Sequence, residues 1–345
     1  MNTNRILRVL VVDDSAYVRK VVSQLLSRSP GLEVVGTARD GQEALDRVAE
    51  LDPDVVTCDL IMPILDGVGF VRAQMARKPV PIVLVSVASE AGELVLTALD
   101  AGAVDFIQKP TALASDRLLE IGSELVAKVQ AAANARLRRP TTGAAPRRST
   151  QPVSKGAFDI VVLGISTGGP QALRTLVPRL PVGLSVPMAI VLHMPVGYTE
   201  LYARRLNEAS ALEVVEATHG LEIRPGLVLI APAGRHLTLR RNLTGGVTTY
   251  LDVRPLDTPH RPSVDVLFQS AADVYAGRVL GVVMTGMGSD GREGAAWIKA
   301  KGGRILTEAE DTCVVYGMPR SIVEAGLSDQ SVPLDDMADA ILEHV

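Results

Sequence analysis

Three residues in the second half of the chain carry side chains that together could break an acyl bond: Ser166, His193 and Asp290. Ser166 follows the apolar run "DIVVLGI" and is set against Thr167, Gly168 and Gly169, with Pro170 next. His193 closes "PMAIVLH", and Asp290 sits in "TGMGSDG" after "RVLGVVM". A hydroxyl, an imidazole and a carboxylate are the set needed for a nucleophile, its general base and the group that orients the base. The glycines around each leave backbone N–H groups free to face a developing oxyanion.

Each residue also has a plainer explanation. Ser166 can cap the helix that Pro170 opens, or belong to a phosphate-binding loop. His193 can be a satisfied core histidine, and Asp290 can cap the helix "GREGAAWIK". "GISTGG" is not GxGxxG, has no P-loop Lys and is not the GxSxG elbow of the usual α/β hydrolases. On spacing alone these alternatives stay open.

A second set of reactive residues lies in the first half. Asp13 and Asp14 end "LRVLVVDD", Asp59 ends "PDVVTCD", Ser86 ends "PIVLVS" and Lys109 follows "AVDFIQ". Three converging carboxylates repel one another, and a hard divalent cation resolves that repulsion through oxygen ligands. A Lys and a hydroxyl beside them can hold a phosphoryl group transferred to one carboxylate. A single Asp after a strand usually caps the next helix. Five such residues on one sheet edge point instead to a phospho-acceptor site.

Both sets need parallel sheets to bring strand ends together, because ligands bind beyond the carboxyl ends of the strands in such sheets. From Ile6 to about Ala135, five continuous apolar runs alternate with segments such as "AYVRKVVSQLLSR", whose apolar residues recur at helical spacing. After Ala157 the rhythm resumes at "FDIVVLG", "PMAIVLH", "LEVVEA", "GLVLIAP" and "RVLGVVMTG". "HLTLRRNLTGGVTTYLDVRP" alternates around Gly245-Gly246 and predicts an antiparallel hairpin. The fold expected is α/β throughout: a five-stranded parallel, flavodoxin-like domain at 1–135, then a doubly wound, mostly parallel domain at 157–345 carrying the hairpin. Between them, 136–156 is rich in Ala, Pro, Thr, Ser, Gly and Arg and predicts a solvated flexible linker.

Composition narrows the setting. At 345 residues, with 47% hydrophobic and 21% charged, the chain suits two globular domains. A net charge of −4 gives no footprint for nucleic acid. The apolar runs are strand-length, and "VVDDS" comes too early to leave room for a secretory segment. The two cysteines, Cys58 and Cys313, form no CxxC pair and suit packing in a reducing compartment. A cytoplasmic monomer without membrane insertion is expected.

The motifs reach two families. "VLVVDDS", "DLIMPILDG", "PIVLVS" and "DFIQKP" resemble the receiver domain of two-component response regulators over residues 6 to 130. That resemblance implies that Asp59 is phosphorylated and that Asp13, Asp14 and the Ile61 carbonyl join it in binding Mg2+. It also implies that Ser86 and Lys109 contact the phosphoryl group and that Phe106 is the switching aromatic. "GISTGGP", "LHMPVGYTELYARRLN", "LVLIAPAGRHLTL", "HRPSVDVLFQSAA", "VVMTGMGSDGREGA" and "CVVYGMPRSIVEAG" resemble, in order, the catalytic domain of the CheB family of chemotaxis protein-glutamate methylesterases.

This second resemblance implies Ser166 as nucleophile, His193 as base, Asp290 as its orienting partner and the backbone at Met287 as oxyanion contact. Thr167 and Gly168 line the turn, and Arg174 follows on its helix. It further implies ester hydrolysis without a cofactor, glutamine deamidation, methylated chemoreceptors as substrate and a chemotaxis-type histidine kinase as phosphodonor. Glu308 stands where the family often has Gln. Two other readings compete: a docking module that has lost turnover, and a receiver with a nucleotide-binding output. The intact Ser, His and Asp count against the first and the missing P-loop Lys against the second.

Overall fold

The structure is a computed structural model that describes residues 5–87, 92–109, 115–137 and 156–345. The chain separates into two compact units, Met1–Thr141 and Thr142–Val345. Apart from Arg136, Leu137 and Gly156, the expected linker lies outside the described residues.

The first unit alternates β1 (Leu7–Val12), α1 (Ala16–Ser27), β2 (Leu32–Ala38), α2 (Gly41–Leu51), β3 (Val55–Cys58) and α3 (Gly67–Arg77). It continues through β4 (Ile82–Val87), α4 (Gly92–Asp100), β5 (Asp105–Lys109) and α5 (Ser115–Ala133). All strand pairs are parallel, in the order β2-β1-β3-β4-β5. Strands β1 and β3 are sheathed on both faces, so Val9, Leu10, Val55 and Val56 are fully buried. Each buried Val or Leu contributes about 1.5–3 kcal/mol over leaving it in water. Helix starts use their own caps: Ser15 accepts from Val18 N–H, Asp40 from Glu43 N–H and Asp66 from Gly69 N–H. Capping therefore does not account for Asp59, which ends β3 without capping a helix.

The second unit runs β6 (Ile160–Ile165), α6 (Gly169–Leu176), β7 (Met188–Leu192), α7 (Thr199–Ala209), β8 (Glu213–Glu216) and β9 (Leu227–Ile230). Next come β10 (His236–Arg241), β11 (Val247–Asp252), α8 (Val264–Tyr275), β12 (Val279–Val283), α9 (Arg292–Ala300) and β13 (Arg304–Glu308). It ends with α10 (Met318–Glu324), β14 (Gln330–Val332) and α11 (Met337–Leu342). Seven strands form a wholly parallel sheet, β14-β13-β12-β6-β7-β9-β8. The hairpin β10–β11 is present as a separate two-stranded antiparallel sheet packed on α8.

Strands β13 and β14 were not expected from the sequence. "RILTE" ends in charge and "QSV" is polar, so neither shows the continuous apolar run of a sheathed strand. Strand β6 is central, with all six residues buried, and its carboxyl end is flanked by β7 and β12. Among the described residues, no helix is long and apolar enough to cross a membrane.

Candidate active site

The carboxyl end of β6 turns at once into α6. Ser166 N–H donates to Thr285 O at 3.0 Å, and Gly169 N–H donates back to Ser166 O at 2.7 Å. This tight turn requires Gly168 in the left-handed region at φ 79°, where a Cβ would also strike Val314. Helix α6 takes Gly168 as its N-cap and has no side-chain cap bond, so Ser166 is not the cap. Thr167 is buried, and its carbonyl accepts the Thr285 hydroxyl at 2.9 Å. Arg174 lies exposed on α6.

His193 follows the neighbouring strand, and its N–H donates to Ile165 O at 3.2 Å, one residue before Ser166. The loop after β12 closes the other side. A Cβ on Gly286 would sit 2.8 Å from Ser166 Cβ, so backbone passes directly against the serine, and half-buried Met287 is the next residue.

Asp290 lies beyond that loop, and its Oδ2 is 2.9 Å from His193 Nε2. The same carboxylate accepts from Ser263 Oγ at 2.9 Å, Val264 N–H at 2.8 Å and Asp265 N–H at 3.0 Å. Burial works to raise its pKa, but the bond and charge of His193, with these backbone N–H groups, hold it well below the usual carboxylate range. Asp290 does cap a helix, but that helix is α8, not the following α9. His193 Nδ1 is buried with no hydrogen-bond partner among the described residues, so the core histidine is not a satisfied one. A Ser166–His193 hydrogen bond is not formed; such bonds often tighten only with substrate.

Several neighbours escaped sequence reading. The His260 ring stacks on His193, with centroids 4.2 Å apart and planes at 25°. Nothing periodic marks it, since it lies in the irregular loop before α8. His236 is fully buried; its Nδ1 accepts Ser263 N–H at 3.2 Å and its Nε2 donates to Pro255 O at 3.1 Å. Glu308, at the end of β13, is buried beneath the serine turn. Its Oε2 accepts Thr285 N–H at 2.9 Å and its Oε1 accepts the Thr312 hydroxyl at 3.1 Å.

In the first unit, Asp13, Asp14 and Asp59 bring carboxylate oxygens within 4.8 Å of one another. Lys109 Nζ lies 2.6 Å from Asp13 Oδ2 and 2.7 Å from Asp59 Oδ2. Burial acts to lower the Lys109 pKa, but its bonds to the two carboxylates lift it above the ordinary lysine value, so it remains a cation. Ser86 Oγ is buried with no partner among the described residues. The Ile61 side chain is exposed two residues beyond Asp59, and the Phe106 ring is buried with Lys128 Nζ 5.8 Å from its centroid. Both cysteines are buried and their thiols are pushed up by burial, consistent with packing.

A five-stranded acidic-pocket unit, followed by a doubly wound unit that gathers serine, histidine and aspartate at one sheet edge, defines a receiver joined to an α/β hydrolase-like domain. Comparison with known proteins agrees. Residues 161–341 match the family described as CheB methylesterase, and residues 9–121 match the response regulator receiver domain. A protein of Myxococcus xanthus named protein-glutamate methylesterase/protein-glutamine glutaminase 5 is 55% identical, covering 98% of each chain. A relative of the same name without the numeral, from Symbiobacterium thermophilum, is 45% identical over 99% of this chain and 98% of its own. The crystal structure of the Thermotoga maritima CheB methylesterase catalytic domain is 41% identical with a TM-score of 0.53, covering 54% of this chain and 98% of that one. The chain belongs to the CheB methylesterase family.

Proposed function

We propose that this protein is a phosphorylation-controlled protein-glutamate methylesterase that also deamidates protein glutamine, acting on methylated chemoreceptors in sensory adaptation. The observation that carries the reading is the 2.9 Å His193–Asp290 bond beside the Ser166 turn, in a chain so similar to relatives bearing those names. Ser166 Oγ adds to the ester carbon while His193 Nδ1 takes its proton. The oxyanion is received at the backbone of Met287, in a turn lined by Thr167 and Gly168. Collapse expels methanol, which takes the proton back from His193. Water then attacks the acyl-serine, again deprotonated by His193, and frees the glutamate and Ser166. On a side-chain amide the same steps release ammonia. No cofactor enters this cycle.

Control enters at Asp59, the proposed phospho-acceptor, with a chemotaxis-type histidine kinase as donor. The trio of carboxylates fits a hard divalent cation, and Asp13, Asp14, Asp59 and the Ile61 carbonyl would hold Mg2+ there. The ion would supply charge neutralisation during phosphoryl transfer. Ser86 and Lys109 would hold the transferred group, and Phe106 would report it by repacking. The reading places a receiver at 1–135, a linker at 136–156 and the esterase at 157–345, working as a monomer in the cytoplasm. The test is methanol release from methylated receptor with and without acetyl phosphate. Release that rises with the phosphodonor supports the reading, and no release from any methylated receptor would end it.

A further inference from the structure

Asp290 and Asp265 cap each other's helices. Asp290 lies just before α9, yet its carboxylate accepts N–H groups from the first turn of α8, at Val264 and Asp265, and the hydroxyl of Ser263. Asp265, in the first turn of α8, completes the exchange: its Oδ1 accepts Gly291 N–H at 3.0 Å and Gly294 N–H at 2.7 Å from the start of α9. Each carboxylate thus sits at the positive end of the other helix. The two starts are drawn close together. Gly291 has φ 102°, and a Cβ there would approach Val264 Cγ1 to 2.9 Å.

We propose that Asp265 is the positioning residue for Asp290, holding the peptide that follows it so that its carboxylate stays on His193 Nε2. The inference rests on the triad reading above. Asp265 touches no reacting atom in that scheme. It fixes Gly291, the next residue in the chain, while its own N–H fixes Asp290 Oδ1. Asp290 is held from both sides, and its grip on Nε2 leaves Nδ1 as the basic nitrogen. Without the exchange, α8 and α9 lose their shared lock and the His193 ring loses a fixed orientation. A displacement of about 1 Å at such a site costs on the order of 10²-fold in rate.

The test measures kcat and KM for methanol release by the full chain, well below its melting temperature. Asp265→Ala should lower kcat on the order of 10²-fold with KM unchanged. Asp265→Asn keeps an Oδ1 acceptor for both N–H groups and should stay within about threefold of wild type. Asp265→Glu keeps the charge but moves the oxygen by a methylene, and should fall towards Ala. If Asp265→Ala does not fold, the contrast between Asn and Glu carries the test alone. Wild-type kcat in Asp265→Ala, or Asn as impaired as Glu, overturns the proposal. Ser166→Ala is assayed alongside: near-normal activity there defeats the triad reading itself, whereas a Ser166→Ala reduced to residual activity beside a fully active Asp265→Ala defeats only the positioning role.

Discussion

His193 presents Nε2 to Asp290 Oδ2 at 2.9 Å and keeps Nδ1 as its other nitrogen, unpartnered among the described residues. In the familiar Ser-His-Asp arrangement the acid holds Nδ1 and the serine meets Nε2. In the proposed triad the two nitrogens exchange roles. With a carboxylate accepting at Nε2, the neutral ring would carry its proton there, which leaves Nδ1 to serve as the base in the proposed mechanism.

Replacing Asp290 by Asn should therefore damage catalysis through the tautomer, since an amide can donate to Nε2 and drive the proton to Nδ1. A loss on the order of 10⁴-fold in kcat is expected from the equivalent change in the template triad. Ser166→Ala should leave only the activity supplied by binding and the oxyanion contact. The double variant should be no slower than Ser166→Ala, because residues that act as a unit do not add. Additive losses in methanol release would show that they act separately.

Phosphoryl labelling should depend on the acidic pocket. Acetyl phosphate is expected to label the wild type only with Mg2+ present, and Asp59→Asn should abolish the label. Asp14→Ala should raise the Mg2+ concentration needed, because an exposed oxygen ligand is lost from the trio. Mass spectrometry of the acid-quenched protein reads both outcomes. A label that survives Asp59→Asn places the acceptor elsewhere.

Glu308→Gln should leave the fold and the rate close to wild type. The amide oxygen can take Thr285 N–H, and its NH₂ can donate to Thr312 Oγ1, whose own proton then turns to Ala309 O at 3.2 Å. Glu308→Ala instead strands the buried Thr285 N–H, at a cost of about 1–3 kcal/mol. It also loosens Thr285, whose carbonyl holds Ser166 N–H. Melting curves and methanol release measure the pair. A collapse of Glu308→Gln would mean that the carboxylate itself is needed.

Acid should weaken the second unit through His236. Burial holds its pKa below the ordinary imidazole value. The unfolded chain therefore binds the proton more readily, and the stability this group contributes is present above about pH 6.5. That contribution is lost as pH falls from there through the lower folded value. The geometry agrees with the sign: protonation would turn Nδ1 into a donor facing Ser263 N–H, also a donor. The wild-type melting temperature should rise between about pH 5 and 7, and His236→Gln should remove part of that slope. An identical slope in the variant would rule His236 out as the cause.

The strand ends were legible because sheathed parallel strands leave long Val, Ile and Leu runs that stop abruptly, and Asp59, Ser166 and His193 stand at those stops. The cross-capping of α8 and α9 was not legible. Asp290 precedes α9 in the chain, so local reasoning assigns it to that helix, and only tertiary packing gives it to α8. His260 and His236 were missed for a related reason, since one lies in an irregular loop and the other falls, by strand alternation, on the polar face of the hairpin with Thr238 and Arg240. Glu308 stood out in the sequence as a departure from the family pattern, but its place beneath the serine turn depends on β13, a strand too polar at its end to be recognised.

His193 and Asp290 are 97 residues apart in the chain, and the helix cross-capping around Asp290 extends to Gly294. On the ribosome, then, His193 cannot meet Asp290 until five of the seven strands of its sheet have been synthesised. The acidic pocket is finished far earlier, with Lys109 closing it. Domains emerging from the ribosome generally fold in that order, first made first folded. The proposed sensor of the phosphoryl signal is thus complete before the catalytic unit is.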